Sequence, residues 1–200
     1  MKKLLILCVF IGRILFAQND FETIKQHYFK SYDYEQMGKY DEAIKVLAPL
    51  YTKYPKGYTL NLRFGWLFFL SKKYNDALQY YQKAQSIQPH ALDPKLGTMR
   101  VYLAQSSSKK AEMLGYKILK TDYYNYYGNY YTILALINQK KYDVATKIIQ
   151  KILALYPTDV LFLEQLARIY KATNNKYLRK LYEDILVLDP NNVLVRSVMK

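Results

Sequence analysis

A 34-residue spacing constrains this chain more than any other feature. Pro55 and Pro89 differ in position by 34, and Pro89 and Pro157 by 68, twice that interval. Each follows an apolar helical stretch and stands where a helix would stop, because proline lacks the backbone N–H and its ring clashes with the preceding turn. The interior keeps the same interval. Gly38-Lys39-Tyr40-Asp41-Glu42-Ala43 is echoed by Lys72-Lys73-Tyr74-Asn75-Asp76-Ala77 and by Lys140-Lys141-Tyr142-Asp143-Val144-Ala145. Residues of different chemistry report one period, and a period of this size marks an architecture of stacked supersecondary units.

Composition says what those units are made of. Of 200 residues, 7 are Gly and 6 are Pro, too few for many short strands joined by tight turns. Apolar residues make up 51% and charged residues 23%, a globular balance that excludes wholesale disorder. Long uninterrupted segments therefore predict helices.

These residues resemble the tetratricopeptide repeat family, whose unit is a 34-residue helix–turn–helix with the pattern W-x2-L-G-x2-Y…A-x3-F…P. The clearest unit carries Phe64-Gly65 with Phe68, then Ala77, Tyr81, Ala84 and Pro89. Others show Ser31, Tyr34, Ala43, Leu47, Leu50 and Pro55; Leu136, Ala145, Ile149, Ile152 and Pro157; and Leu166-Ala167, Tyr170, Leu178, Tyr182, Ile185 and Pro190. The last is one residue short, with the deletion near Asn174-Asn175. The slot between Leu92 and Asn125 keeps Tyr102 and Ala111, but Gly115 stands where an aromatic is expected and Tyr123 replaces the proline. The resemblance implies an all-α fold, a right-handed α-solenoid of about five helix–turn–helix units. The units fall at about 24–57, 58–91, 92–125 (degenerate), 126–159 and 160–191, within one domain over 18–200. Small Ala at the start of each second helix lets the pair approach, and large Tyr, Phe or Leu fill the space between units. Asn19 and Glu22 are spaced as a capping box for the first helix. Asn191–Lys200 is expected to form a short closing helix in which Val193, Leu194 and Val198 cover the last unit.

The N-terminus, Met1-Lys2-Lys3 followed by the apolar stretch from Leu4 to Ala17, has the form of a secretory signal peptide. That predicts export to a periplasmic or envelope location, with cleavage after Ala17. Arg13 interrupts the apolar stretch, and Leu15 is larger than the residue favoured near a cleavage site. An uncleaved apolar helix is the alternative. Leu7 before Cys8 argues against lipidation at Cys8, since a small residue is expected there. Removal of residues 1–17 would take the basic count from 30 to 27 against 16 acids, a net charge of +11, and leave no cysteine.

Ligands of this family lie along the concave face made by the first helices. Carrying that register over gives a groove of Tyr28, Tyr32, Leu62, Arg63, Trp66, Leu96, Arg100, Tyr127, Tyr130, Tyr131, Glu164, Arg168 and Lys171, aromatic and basic in character. Tyr, Trp and Arg are the residue types that dominate binding hot spots, while core filling is the competing role for each aromatic. The stretch Tyr123-Tyr124-Asn125-Tyr126-Tyr127-Gly128-Asn129-Tyr130-Tyr131 holds six tyrosines in nine residues. One helix cannot bury all six on one face, so some must be exposed or seal the joint between units three and four. The subclass that clamps C-terminal carboxylates with Lys, Asn and Arg is not matched, since Tyr28, Tyr32 and Asp93 stand at its positions.

Nothing in the residue inventory predicts an active site, metal or cofactor. One cysteine excludes both an internal disulfide and a Cys-rich zinc site. His27 and His90 are the only histidines, and neither has a ligand set nearby in sequence. No G-x-S-x-G or G-x-x-x-x-G-K motif occurs, and Glu183-Asp184 diverge on a helix. The expected function is a non-catalytic protein-interaction scaffold of the cell envelope with a protein or peptide partner. The positive charge favours an acidic one. The alternatives are a cell-wall glycan or anionic surface bound through the tyrosine-rich segment, and, only if the chain is not exported, nucleic acid.

Overall fold

The computed structural model describes residues 20–199. The signal-peptide and Cys8 expectations, and the Asn19 half of the capping box, lie outside the described residues. The described residues form eleven helices and no strand: α1 (20–36), α2 (Tyr40–Lys53), α3 (Tyr58–Leu70), α4 (Tyr74–Ile87), α5 (Asp93–Ala104), α6 (Ser108–Thr121), α7 (Tyr126–Asn138), α8 (Tyr142–Leu153), α9 (Val160–Ala172), α10 (Leu178–Leu188) and α11 (Val193–Arg196). This is the all-α helix–turn–helix repeat expected from the sequence. The described residues divide into two compact units, with the boundary between Pro94 and Lys95, inside α5.

The period has a backbone cause. Gly38, Lys72, Ser106, Lys140 and Asn174 all have positive φ, at 71°, 60°, 56°, 59° and 51°. They are spaced 34 apart without exception. Each ends the first helix of a pair. The next N–H in each turn reaches back along the chain, as from Lys39 to the Tyr34 carbonyl, Lys73 to Phe68, Ser107 to Tyr102, Lys141 to Leu136 and Asn175 to Tyr170. This is the Schellman arrangement, which satisfies carbonyls at the helix end and reverses the chain. Because Asn174 and Asn175 keep the register, the missing residue of the fifth pair falls after them, and α10 starts late, at Leu178.

Only the first of these turns has the glycine that left-handed backbone favours. A side chain there is strained by about 1–2 kcal/mol. Lys72→Gly and Lys140→Gly are therefore each expected to raise stability by about 0.5–1 kcal/mol, the strain relief less the added chain entropy. Urea denaturation measures it, and an unchanged midpoint would contradict the assignment.

Four of the five second helices, all but α10, carry in their first turn an alanine of no exposed surface: Ala43, Ala77, Ala111 and Ala145, again 34 apart. In the first unit the core gathers Leu47, Leu50, Leu60, Phe64 and Leu67 beside Ala43. In the second, one cluster joins Ile133, Leu136, Ile149, Ile152 and Phe162, and another joins Leu163, Ala167, Tyr182, Ile185 and Val195.

The third pair, poor in sequence, is regular in structure. Gly65 and Tyr81 lie against each other: a Cβ on Gly65 would sit 2.6 Å from the Tyr81 ring. One period later the same two positions hold Met99 and Gly115, and a Cβ on Gly115 would meet Met99 Cε at 2.9 Å. The small and large partners have changed places, so a glycine still faces a large side chain at this position. The closing helix meets expectation at Leu194, which packs against the last core cluster, and departs from it on either side. Val193 and Val198 are exposed, and the fully buried residue is Val195. The phase is set by the cap, where the Asn192 side chain accepts the Val195 N–H at 3.1 Å and turns that residue inward.

Candidate functional site

The first helices of the second unit bring the sequence-derived residues into a row. Arg100 on α5 donates from Nε to the Tyr131 hydroxyl of α7 at 3.0 Å, with its guanidinium 5.6 Å from the ring centre. Tyr127 stacks on Tyr131 at 5.9 Å, and Tyr130 lies against Tyr131 at 5.6 Å. Tyr130 feels the charges of Arg168 and Glu164 on α9, and burial above all raises its pKa. Glu164 is held by the Asn192 amide at 2.7 Å. Arg168 and Lys171 are exposed on the same helix. The row is thus aromatic in the middle and cationic at both ends.

Individual tyrosines divide as the helix geometry requires. Tyr123, Tyr124 and Tyr127 are exposed, Tyr126 and Tyr130 are half-buried, and Tyr131 is buried. Tyr131 is therefore a platform for Tyr127 and an anchor for Arg100, and Tyr127 is the exposed ring of the stacked pair. The helix starts where it does because the Asn125 side chain accepts the Gly128 N–H at 2.8 Å. The turn before it is pinned by Asn129, whose amide donates to the carbonyls of Tyr123 and Asn125 at 3.1 and 2.8 Å. Asn61, at the matching position two periods earlier, does the same to Pro55 and Gly57.

In the first unit the same register places Tyr28, Tyr32, Leu62, Arg63 and Trp66. Arg63 does not present its charge to solvent: it is 6% exposed. Its Nε and Nη2 donate to Ser31 Oγ at 3.2 and 2.9 Å, and Nη1 donates to Glu35. The Tyr32 ring covers the guanidinium at 3.8 Å. Trp66 Nε1 donates to the other Glu35 oxygen at 2.6 Å, and its indole stacks on Phe69 at 5.5 Å. Tyr28 shares a hydrogen bond with Thr59 at 3.4 Å, and Leu62 is half-buried. Glu35, which organises this group, is not among the residues that the repeat register picks out; a carboxylate on the preceding first helix carries no motif.

Two tyrosines tie successive pairs together. Tyr58 donates to Asp93 at 3.1 Å and Tyr126 to Asp159 at 2.9 Å. Burial first, and the neighbouring carboxylates with it, push both phenols up from the ordinary 10 to about 12. Unfolded tyrosines ionise near pH 10 while these remain neutral, so ionisation favours the unfolded chain above that value. Stability is expected to fall as pH rises from about 10 to about 12, and Tyr58→Phe with Tyr126→Phe should lessen the fall in a thermal-melting series.

Among the described residues, no group of three or more His, Cys, Asp or Glu could hold a metal ion, and no helix is long and apolar enough to cross a membrane. His27 Nδ1 lies 2.8 Å from its own helix's Thr23 carbonyl, and His90 is exposed.

A repeating helical pair whose first helices line up their side chains defines a helical-repeat protein. The tetratricopeptide repeat family model matches residues 30–92. The match covers the first two helical pairs, and the described residues share the helix–turn–helix repeat fold of that family. Among solved structures, a tetratricopeptide repeat protein from Parabacteroides merdae shares 19% identity, with a TM-score of 0.73 over 88% of this chain and 70% of that one. MamA from Desulfovibrio magneticus RS-1 shares 14% identity, with a TM-score of 0.71 over 86% and 97%. YrrB, described as a protein of this repeat class with an unusual peptide-binding site, shares 12% identity, with a TM-score of 0.63 over 86% and 89%. No curated protein sequence matches the chain.

Proposed function

We propose that this protein is a non-catalytic scaffold whose first-helix row in the second unit binds an acidic segment of a partner protein. The observation that carries the reading is the continuous run Arg100–Tyr131–Tyr127 and Tyr130–Arg168. Its one carboxylate, Glu164, is committed to Asn192. Exposed tyrosine rings supply contact area at little entropic cost, and flanking cations select the sign of the partner. The peptide-binding site ascribed to YrrB supports the capacity of such a fold for this role. The apolar stretch from Leu4 to Ala17 supports an envelope location, where the basic chain would meet its partner.

Selection of peptides on the purified chain tests it. Acidic sequences should be enriched. Arg168→Glu with Lys171→Glu should weaken the selected peptide by about tenfold or more and flatten its salt dependence. Enrichment of neutral or basic sequences, or an affinity indifferent to both changes, would sink the proposal.

A further inference from the structure

The second helices carry another site, visible because the two units solve the same packing position differently. In the first unit, Tyr51 of α2 and Tyr80 of α4 meet edge to face at 5.5 Å. Lys83 donates to the Tyr51 hydroxyl at 2.9 Å and lies 4.6 Å from the Tyr80 ring centre. An aromatic ring bearing an oxygen thus fills the joint between successive second helices, and a lysine grips that oxygen.

Two periods later the lysine is kept and the rings are gone. Lys151 occupies the position of Lys83, Leu119 that of Tyr51 and Ile148 that of Tyr80. A cavity of about 330 Å³ opens there between α6 and α8, walled by Leu119, Ile148, Tyr116 and Tyr123, with Lys147 and Lys151 on its lining. That volume is at the small end of the range for small-ligand sites. Lys151 turns inward instead: its Nζ donates to Asn129 Oδ1 and, at 2.9 Å, to the Tyr123 carbonyl, under the Tyr123 ring at 3.8 Å. The counterpart oxygen in the first unit, Asn61 Oδ1, is buried with no hydrogen-bond partner, because Lys83 has gone to Tyr51. An ammonium has three donors, so Lys151 keeps one N–H beyond its two acceptors. Burial lowers its pKa. Lys147 is exposed beside it.

We infer that this cavity is a binding site for a small anionic aromatic ligand, an aryl carboxylate in chemical class. Its ring would stand where the Tyr51 and Tyr80 rings stand in the first unit. Its carboxylate would take the third donor of Lys151 and the charge of Lys147. The site lies on second helices and a turn, and uses none of the groups that carry the proposed partner-binding row.

Fluorine NMR of the full chain with trifluoromethylbenzoate tests this directly. Saturable line broadening is expected, weaker by about tenfold for the neutral trifluoromethylbenzyl alcohol and for Lys147→Ala with Lys151→Met. Leu119→Tyr with Ile148→Tyr, which refills the joint as in the first unit, should abolish binding without lowering the melting temperature. Arg168→Glu should leave it unchanged, so failure here and failure of the partner-binding proposal are distinguishable. Absence of saturable binding to the unaltered protein would overturn the inference, as would undiminished binding to the folded tyrosine-pair protein. Should that pair prevent folding, methyl shifts of Leu119 and Ile148 on titration decide: movement supports the site, and their constancy with binding retained elsewhere refutes it.

Discussion

Arg63→Ala is expected to destabilise the first unit by about 3 kcal/mol or more, a cost typical of removing one partner from a buried ion pair. The guanidinium holds Ser31, which has no exposed surface, and Glu35, which also receives the Trp66 indole N–H. Its loss leaves a half-buried carboxylate with one remaining donor and a buried hydroxyl with none of its former partners. Tyr32 loses the cation beneath its ring as well. Removing both charges together, with Arg63→Met and Glu35→Leu, should cost less than Arg63→Ala alone, because no unpaired charge remains. Urea denaturation of the three proteins measures the difference. A loss below about 1 kcal/mol for Arg63→Ala would mean the pair behaves as an exposed one, contrary to the geometry.

Gly115→Tyr, which installs the aromatic that the repeat pattern favours, should do the opposite of what the pattern suggests. It is expected to cost about 3 kcal/mol or more through overpacking. Even a Cβ at Gly115 would sit 2.1 Å from Thr132 Oγ1 and 3.2 Å from Thr132 Cβ. Rotating Thr132 moves the oxygen, which is already bonded to the Gly128 carbonyl at 2.6 Å, but does not move Cβ. The gain in helix propensity on leaving glycine, about 1 kcal/mol, is too small to offset that. Combining Gly115→Tyr with Met99→Gly recreates the Gly65–Tyr81 arrangement and should recover part of the loss. Should Gly115→Tyr alone match the unaltered protein in thermal melting, the exchanged-partner account of the third pair is wrong.

These two residues also show where sequence stops being legible. The repeat is readable because each steric demand falls on a fixed position: a left-handed residue every 34, an alanine every 34, a proline beyond the second helix. Gly115 looks like a defect when the pattern is followed one position at a time. Met99, standing where Gly65 stands in the preceding unit, is the signal that a compensating exchange has occurred. Register puts Arg63 on the first-helix row because it assigns a helix face but not the depth of a side chain. The burial of Arg63 depends on Ser31 and Glu35 of another helix, and nothing in the spacing of those residues announces an ion pair. Tyr131 sinks for a similar reason, under Tyr127 and against Arg100. Val195 shows the same limit at one turn's scale, since the cap at Asn192 fixes the phase of the closing helix.

Tyr127, Tyr130, Arg168 and Lys171 remain available on α7 and α9, with Arg100 and Tyr131 behind them. The cavity on the second helices is not foreshadowed, because it is made by the absence of two rings rather than by the presence of a motif.

The central proposal concerns which face of the second unit meets a partner. Hydrogen exchange of the protein, free and saturated with a selected acidic peptide, measures this most directly. The expected result is slowed exchange in α7 and α9, spanning Tyr126–Asn138 and Val160–Ala172, with α6 and α8 unaffected. Protection confined to α6 and α8, or none at saturation, would contradict it.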